Sequence, residues 1–374
     1  MSANAKAPRE PLVHLTKRTK SAISWQKAWL IRVLAVVLGM LVCGLVAFVL
    51  LEKLREEPGR IGEFYYCFID GAFGTSRRLW KFLKNLALLL CIALALTPAF
   101  RMRFWNTGGE GQTLMGVLGA IAVNFYWGGK LPEWLLLVLM FIASIAAGAV
   151  WGLIPALCKA KWNSNETLFT LMMNYVATQV VSYCLIVWVP NGSGTLKEMK
   201  TGNLPTVVNN YLLVILVVLV LAGVLFIYLN YSKQGYEISV VGESENTARY
   251  IGINVKKVII RTMAISGALC GLAGYLIGAG LDHTVNTESA GGMGFTAIMV
   301  SWLAKFNPLV MILTAGIVQL LRSGAERISQ TFNVSSSLPD VIVGIILFFI
   351  IGSEFFINYE VHFRGGRSAR EAIK

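Results

Sequence analysis

The sequence predicts an all-α membrane protein with about ten transmembrane helices, some short or broken, arranged with an inverted internal repeat. Three observations predict it. First, 56% of the 374 residues are apolar and only 14% charged, against about 45–50% and about 25% in a soluble domain. Second, the apolar residues gather in ten stretches, near 33–51, 84–100, 112–127, 134–157, 167–189, 210–229, 259–281, 293–304, 309–322 and 339–357. Third, the basic residues between those stretches are shared out unevenly. This composition argues against a soluble enzyme, a disordered tail and a nucleic-acid-binding protein, even though 33 Lys+Arg against 20 Asp+Glu give a net charge of +13.

If all ten stretches cross and the N-terminus is cytoplasmic, the inner segments hold 20 basic residues and the outer loops 10. Positive charge favours the cytoplasmic side, so both termini are expected inside. The organisation is then a basic cytoplasmic segment 1–32, a transmembrane domain 33–357 with a cytoplasmic loop 230–258, and a basic cytoplasmic tail 358–374. The stretch 33–51 exceeds a signal-peptide core and has no convincing cleavage site, so it reads as a retained span. The loop 52–83 is the dissent. It is counted as outer, yet it carries Lys53, Arg55, Arg60, Arg77, Arg78 and Lys81.

Stretches 112–127, 293–304 and 309–322 are too short to cross about 30 Å of hydrocarbon as straight helices. Two of them follow polar, Gly-rich segments, Trp105–Gln112 and Asn286–Gly294. Broken helices in corresponding positions mark the substrate path of transporters. The topology runs these two helices in opposite directions, which suggests an inverted repeat relating roughly 84–189 to 259–357.

Six scattered cysteines without CxxC spacing read as apolar packing residues, and three histidines exclude HExxH and multi-His sites. No metal site, cofactor or catalytic residue is expected. There is no GxxxxGK[ST] phosphate cradle, and no nucleophile–base pair appears in the spans.

Glu110 is the most informative acidic residue. An ionised carboxylate is costly in hydrocarbon, so it must either cap a helix end, where the dipole favours it, or face the solute. Thr170, Asn174 and Thr178 recur every fourth residue and share one helical face. They serve either as interhelical glue or as the lining of a polar path. Gly267-x-x-x-Gly271 and Gly274-x-x-x-Gly278 read as close packing. In the loop 230–258, Ser244 can cap a short helix, with Glu245 in its first turn, Gly252 at its left-handed end, and Ala248 and Ile251 on one face. So short a helix needs the membrane surface or a protein partner to hold it.

Taken in order, several motifs carry a resemblance: Asp70-Gly-Ala-Phe-Gly74, Asn106-Thr-Gly-Gly-Glu110-Gly-Gln112, Trp151-Gly-Leu-Ile-Pro155 with Asn165-Glu166, Leu171-Met-Met-Asn174-Tyr175, Val241-Gly-Glu-Ser through Gly252-Ile253, Gly294-Phe-Thr-Ala-Ile298 and Phe306-Asn-Pro308. Over roughly 60–355 the chain resembles the permease subunits of bacterial ABC importers for nucleosides and simple sugars, within the branched-chain amino acid and ribose permease family. The resemblance implies a non-enzymatic subunit of the bacterial inner membrane that works by alternating access. It implies a cytoplasmic ABC ATPase, a second and usually different permease chain, and an extracytoplasmic substrate-binding protein or lipoprotein. The short helix at 244–251 becomes the coupling element, with Gly242, Glu243, Ser244, Ala248, Tyr250, Ile251 and Gly252 at the ATPase contact. Asn106, Glu110, Gln112, Asn174, Tyr175 and Thr296 are expected to line the path. Thr107, Gly109 and Thr296 depart from the family pattern beside that path. The rival reading is an ion-coupled secondary transporter or channel with Glu110 as its ion site.

Overall fold

The computed structural model describes residues 13–17, 24–50, 56–189, 196–206, 209–335 and 337–363. Most of the basic N-terminal segment, the start of loop 52–83 and the tail beyond 363 lie outside the described residues. The helices are α1 (Trp25–Leu50), α2 (Ile61–Phe73), α3 (Ser76–Arg101), α4 (Gly109–Trp127), α5 (Glu133–Trp162), α6 (Glu166–Trp188), α7 (Leu212–Tyr231), α8 (Lys233–Glu243), α9 (Glu245–Tyr250), α10 (Val255–Ile277), α11 (Met293–Leu303), α12 (Pro308–Phe332) and α13 (Leu338–Asn358). A short 3-10 turn covers Pro58–Arg60, and a π turn, Gly278–Asp282, ends α10. Among the described residues the one departure from all-α is a strand pair, β1 (Val13–Lys17) antiparallel to β2 (Tyr359–Phe363), with Val13 opposite Phe363. Both segments alternate apolar and polar residues, a strand pattern.

Eight helices are long and apolar enough to cross a membrane: α1, α3, α5, α6, α7, α10 with its π turn, α12 and α13. With α4 and α11 they account for the ten apolar stretches. Two of the three short stretches prove longer than the sequence suggests. The one at 309–322 belongs to a 25-residue helix, because Arg322, Glu326 and Arg327 continue the helix instead of ending it, and Arg327 meets Asp70 at 2.7 Å. The one at 112–127 starts at Gly109 and reaches 19 residues, ~28 Å at 1.5 Å per residue. Only α11, at 11 residues, stays too short. The loop 52–83 also changes character: it contains α2, and α3 starts at Ser76 behind the cap Thr75, whose Oγ1 accepts from the Arg78 amide at 3.3 Å. Arg77, Arg78 and Lys81 therefore ride on a helix.

The chain forms two compact units, residues 1–71 with 321–374 and residues 72–320. In the first, α1 packs along α13. The Cα of Ile346 lies 3.3 Å from where a Cβ on Gly39 would stand, and Arg32 pairs with Glu354 at 2.6 Å. Phe64, Cys67 and Phe68 bury one side of α2, and a Cβ on Gly71 would strike the Ser323 carbonyl.

In the second unit α3 is the centre, buried continuously from Ala87 to Phe100. The surrounding helices follow membrane logic, in which small and polar residues make the interfaces and large apolar ones face outward. Helix α5 buries Leu136, Met140, Ser144, Gly148, Gly152, Ala156 and Ala160, one every fourth residue, and exposes Val138, Phe141, Ile142 and Val150. The glycine pattern of α10 is a packing seam, as its spacing predicts. A Cβ on Gly267 would strike the Gly148 carbonyl, and one on Gly271 the Ser144 carbonyl. The Ser144 hydroxyl lies 2.7 Å from both the Gly116 and the Gly271 carbonyl oxygen, tying α4, α5 and α10 together.

Candidate functional site

The polar residues singled out in the sequence converge at the start of α4. Leaving a helix at membrane depth strands backbone groups that water cannot reach, so protein must satisfy them. Asn106 does this first: its Oδ1 accepts from the Gly108 amide at 3.0 Å and from Gln112 Nε2 at 3.1 Å. Its Nδ2 donates to Gln112 Oε1 at 3.3 Å and to Ser266 Oγ of α10 at 3.2 Å. Asn174 works from the α6 side, where its Oδ1 accepts from the Gly111 amide at 2.9 Å and its Nδ2 donates to the Thr107 carbonyl at 2.9 Å. Thr170 Oγ1 accepts from the Thr107 amide at 3.1 Å. Asn106, Gln112 and Asn174 are all buried. Thr178 turns back onto its own helix, donating to the Asn174 carbonyl at 3.1 Å.

Glu110 belongs to the first turn of α4 but does not cap it. Its Oε1 accepts from the Gly292 amide at 2.8 Å and its Oε2 from the Gly294 amide at 2.7 Å. The carboxylate therefore caps the start of α11, where free amides and the helix dipole favour negative charge. The approach is close: a Cβ on Gly294 would strike the Glu110 amide nitrogen. Gly292 adopts φ +69°, which glycine takes without steric cost. The two Gly-rich segments, about 180 residues apart in sequence, thus meet through one side chain. Thr296 lies one turn along α11, half-buried, with Oγ1 3.2 Å from the Gly292 carbonyl. Tyr175 stands apart from this network, 68% exposed on the outer face of α6.

At its other end α11 enters an aromatic cluster that the sequence reading missed. Trp105 and Trp302 have ring centroids 4.9 Å apart, and Phe100 stacks on Phe306 at 5.9 Å. With Arg103 and Lys305 these rings line a cavity of about 320 Å³. Both cations sit in left-handed backbone, at φ 59° and 50°. The repeated basic-Phe pair, Arg103-Phe104 and Lys305-Phe306, each just past a helix end, is the signal that could have found it.

The loop 230–258 is more ordered than its sequence suggests. Helix α8 fills its first half behind Ser232, whose Oγ accepts from the Gly235 amide at 2.9 Å. Helix α9 begins, as read, behind Ser244, whose Oγ accepts from the Thr247 amide at 3.2 Å. It ends with Gly252 at φ +85°, the Gly252 amide on the Arg249 carbonyl at 3.1 Å and the Ile253 amide on the Ala248 carbonyl at 2.9 Å. That is the paired-bond helix stop glycine favours. Ala248 and Ile251 differ in exposure. Ala248 is fully buried in a core cluster that includes Ala99, Met102, Phe104, Ile238 and Val258, while Tyr250 is 92% and Ile251 51% exposed. Gly242 seats this element on the bundle, since a Cβ there would strike the Arg101 carbonyl. Glu243 lies exposed at the end of α8.

Comparison with known proteins agrees with this architecture. The chain is 29% identical over 333 residues, 87% of its length and 93% of the relative's, to the guanosine ABC transporter permease protein NupP of Bacillus subtilis. It is 30% identical over 306 residues, 76% of its length and 78% of the relative's, to a glucose ABC transporter permease protein of Haloferax volcanii. It is 25% identical over 296 residues, 75% of its length and 80% of the relative's, to the nucleoside ABC transporter permease protein NupB of Lactococcus lactis. Residues 79–351 match the family described as the branched-chain amino acid transport system permease component, and the chain, an integral membrane protein, belongs to that family.

Proposed function

We propose that this chain forms the translocation path of an ATP-driven importer for a nucleoside or simple sugar, in the bacterial inner membrane with its N-terminus in the cytoplasm. The observation that carries the reading is the Glu110 carboxylate held between the Gly292 and Gly294 amides. It joins the two helix breaks, so shifting α11 against α4 opens or closes the route beside Thr296 without unfolding a span. Asn106, Gln112 and Asn174 hold the break in shape, and Glu110 and Thr296 border the solute. Tyr175, on the outer face of α6, meets the solute only from the side where a second permease chain closes the path. Neutral hydrogen-bonding groups around one carboxylate suit hydroxyl-rich, uncharged solutes, the class that the names of the relatives report.

ATP hydrolysis belongs to a separate cytoplasmic ABC ATPase that seats on Tyr250 and Ile251, with Glu243 at its edge. Gly242, Ser244, Ala248 and Gly252 shape the docking helix from within. An extracytoplasmic binding protein delivers solute. Engagement of both Glu110 oxygens by amides argues against an ion-coupled site there, since a cation would compete with a helix end for them. The test is uptake of labelled guanosine and glucose into proteoliposomes containing the chain with its ATPase and permease partners. Uptake that requires ATP and stops with Ile251→Asp supports the proposal. Uptake on an ion gradient with no ATPase present would overturn it.

A further inference from the structure

A second cleft lies between α8 and the start of α10, beside the docking helix. Its volume is about 290 Å³ and Lys233, Glu237, Ile251, Asn254, Lys257 and Arg261 are among its lining residues. Three cations therefore face one carboxylate. That carboxylate is already engaged, because Arg261 Nη2 donates to Glu237 Oε2 at 2.9 Å. Lys233 and Lys257 have no ion-pair partner among the described residues. The Arg261 Nε is buried and has no hydrogen-bond acceptor. A buried donor without an acceptor is costly, and like charges crowded into one cleft repel. Both features call for an anion.

Depth along the helices indicates which anion. The apolar helix α7, long enough to cross a membrane, ends at Tyr231, and α10, another such helix, starts at Val255. Lys233 thus stands two residues beyond one span, Lys257 is the third residue of the other, and Arg261 is one turn deeper. The cations descend from the membrane surface into the first turns of a span, the depth of a lipid phosphate. Tyr231 and Tyr236, 77% and 62% exposed, stand at the end of α7 and on α8 as interfacial aromatics do. Val258, in the first turn of α10, adds an apolar surface to the cleft at that depth. Basic pockets between membrane helices bind anionic headgroups.

We propose that this cleft binds the phosphate of an anionic phospholipid through Lys233, Lys257 and Arg261, and that the bound lipid braces the docking helix at Ile251–Gly252. The proposal is independent of the solute carried. The full chain, delipidated in detergent and titrated with phosphatidylglycerol or phosphatidylcholine, is read by native mass spectrometry. Wild type is expected to prefer phosphatidylglycerol. Lys233→Gln/Lys257→Gln should weaken that binding about thirtyfold, the size of two lysine–headgroup contacts, while Lys256→Gln, exposed and outside the cleft, leaves it intact. Lys233→Arg/Lys257→Arg should retain the preference and guards against a folding artefact. A preference that survives in the double Gln variant would overturn the site. Displacement of the lipid by equimolar inorganic phosphate would assign the cleft to free phosphate and overturn the lipid source. Unchanged lipid binding in the double Gln variant with loss of ATPase co-purification would assign the cleft to the protein partner.

Discussion

The start of α4 and the loop 232–254 both interrupt membrane helices with glycine and polar residues, yet they are finished in opposite ways. At α4 the Thr107, Gly108 and Gly111 amides and the Thr107 carbonyl are met by Asn106, Thr170 or Asn174, and those side chains are buried. In the loop, caps and Ala248 complete the inner side, while Tyr250 and Ile251 are left outside. The first region is complete in one chain and the second is not. The difference separates a break built to be held from one built to be gripped, and substitutions should divide along the same line.

The largest effect is expected where a side chain would enter the seam that supports the first region. Gly267→Leu drives carbon into the Gly148 backbone, and should cost 3 kcal/mol or more, beyond the ~1–3 typical of overpacking, read as loss of folded protein in detergent. Next, Asn174→Leu strands the Gly111 amide and the Thr107 carbonyl, and should lower stability by about 1–3 kcal/mol with transport lost in parallel. Glu110→Gln keeps the shape but weakens two charge-assisted bonds. A loss of about 1–2 kcal/mol in thermal stability, with a larger loss of transport, would mark Glu110 as the joint of α11. Equal losses would make it only a cap. Ser244→Ala should cost about 1 kcal/mol and reduce coupled ATPase activity before it reduces folding. The smallest structural effect belongs to Tyr250→Ala, within about 0.5 kcal/mol of wild type, although ATP-driven uptake should fall sharply. A stability loss as large as that of Asn174→Leu would erase the contrast between the two regions.

The ten apolar stretches, the α10 packing motif and the cap pair Ser244/Gly252 were all legible, because each depends on residues close in sequence. The continuation of α12 past Arg322 was not, because its charges are tolerated through Asp70, more than 250 residues away. Glu110 stood out from cost alone, but its partner did not, since a carboxylate near its own helix start and one reaching another helix have the same local sequence. Ala248 and Ile251 looked like one face at three-residue spacing. In the structure the first is buried and the second half-exposed, because burial depends on neighbours such as Ile238 and Met102 that lie far off in sequence.

The glycine seam between α5 and α10 has a mechanical consequence. Where backbone meets backbone with no side chain between, there are no rotamers to rearrange and no layer that can shear. The Ser144 hydroxyl adds a pin from α5 to α4 and α10 at the same level. These three helices should therefore behave as one stiff beam in any opening of the path, with their amides among the slowest in the molecule to exchange with solvent deuterium. Flexibility is then left to the short, glycine-flanked α11, which turns against the beam like a latch against its frame.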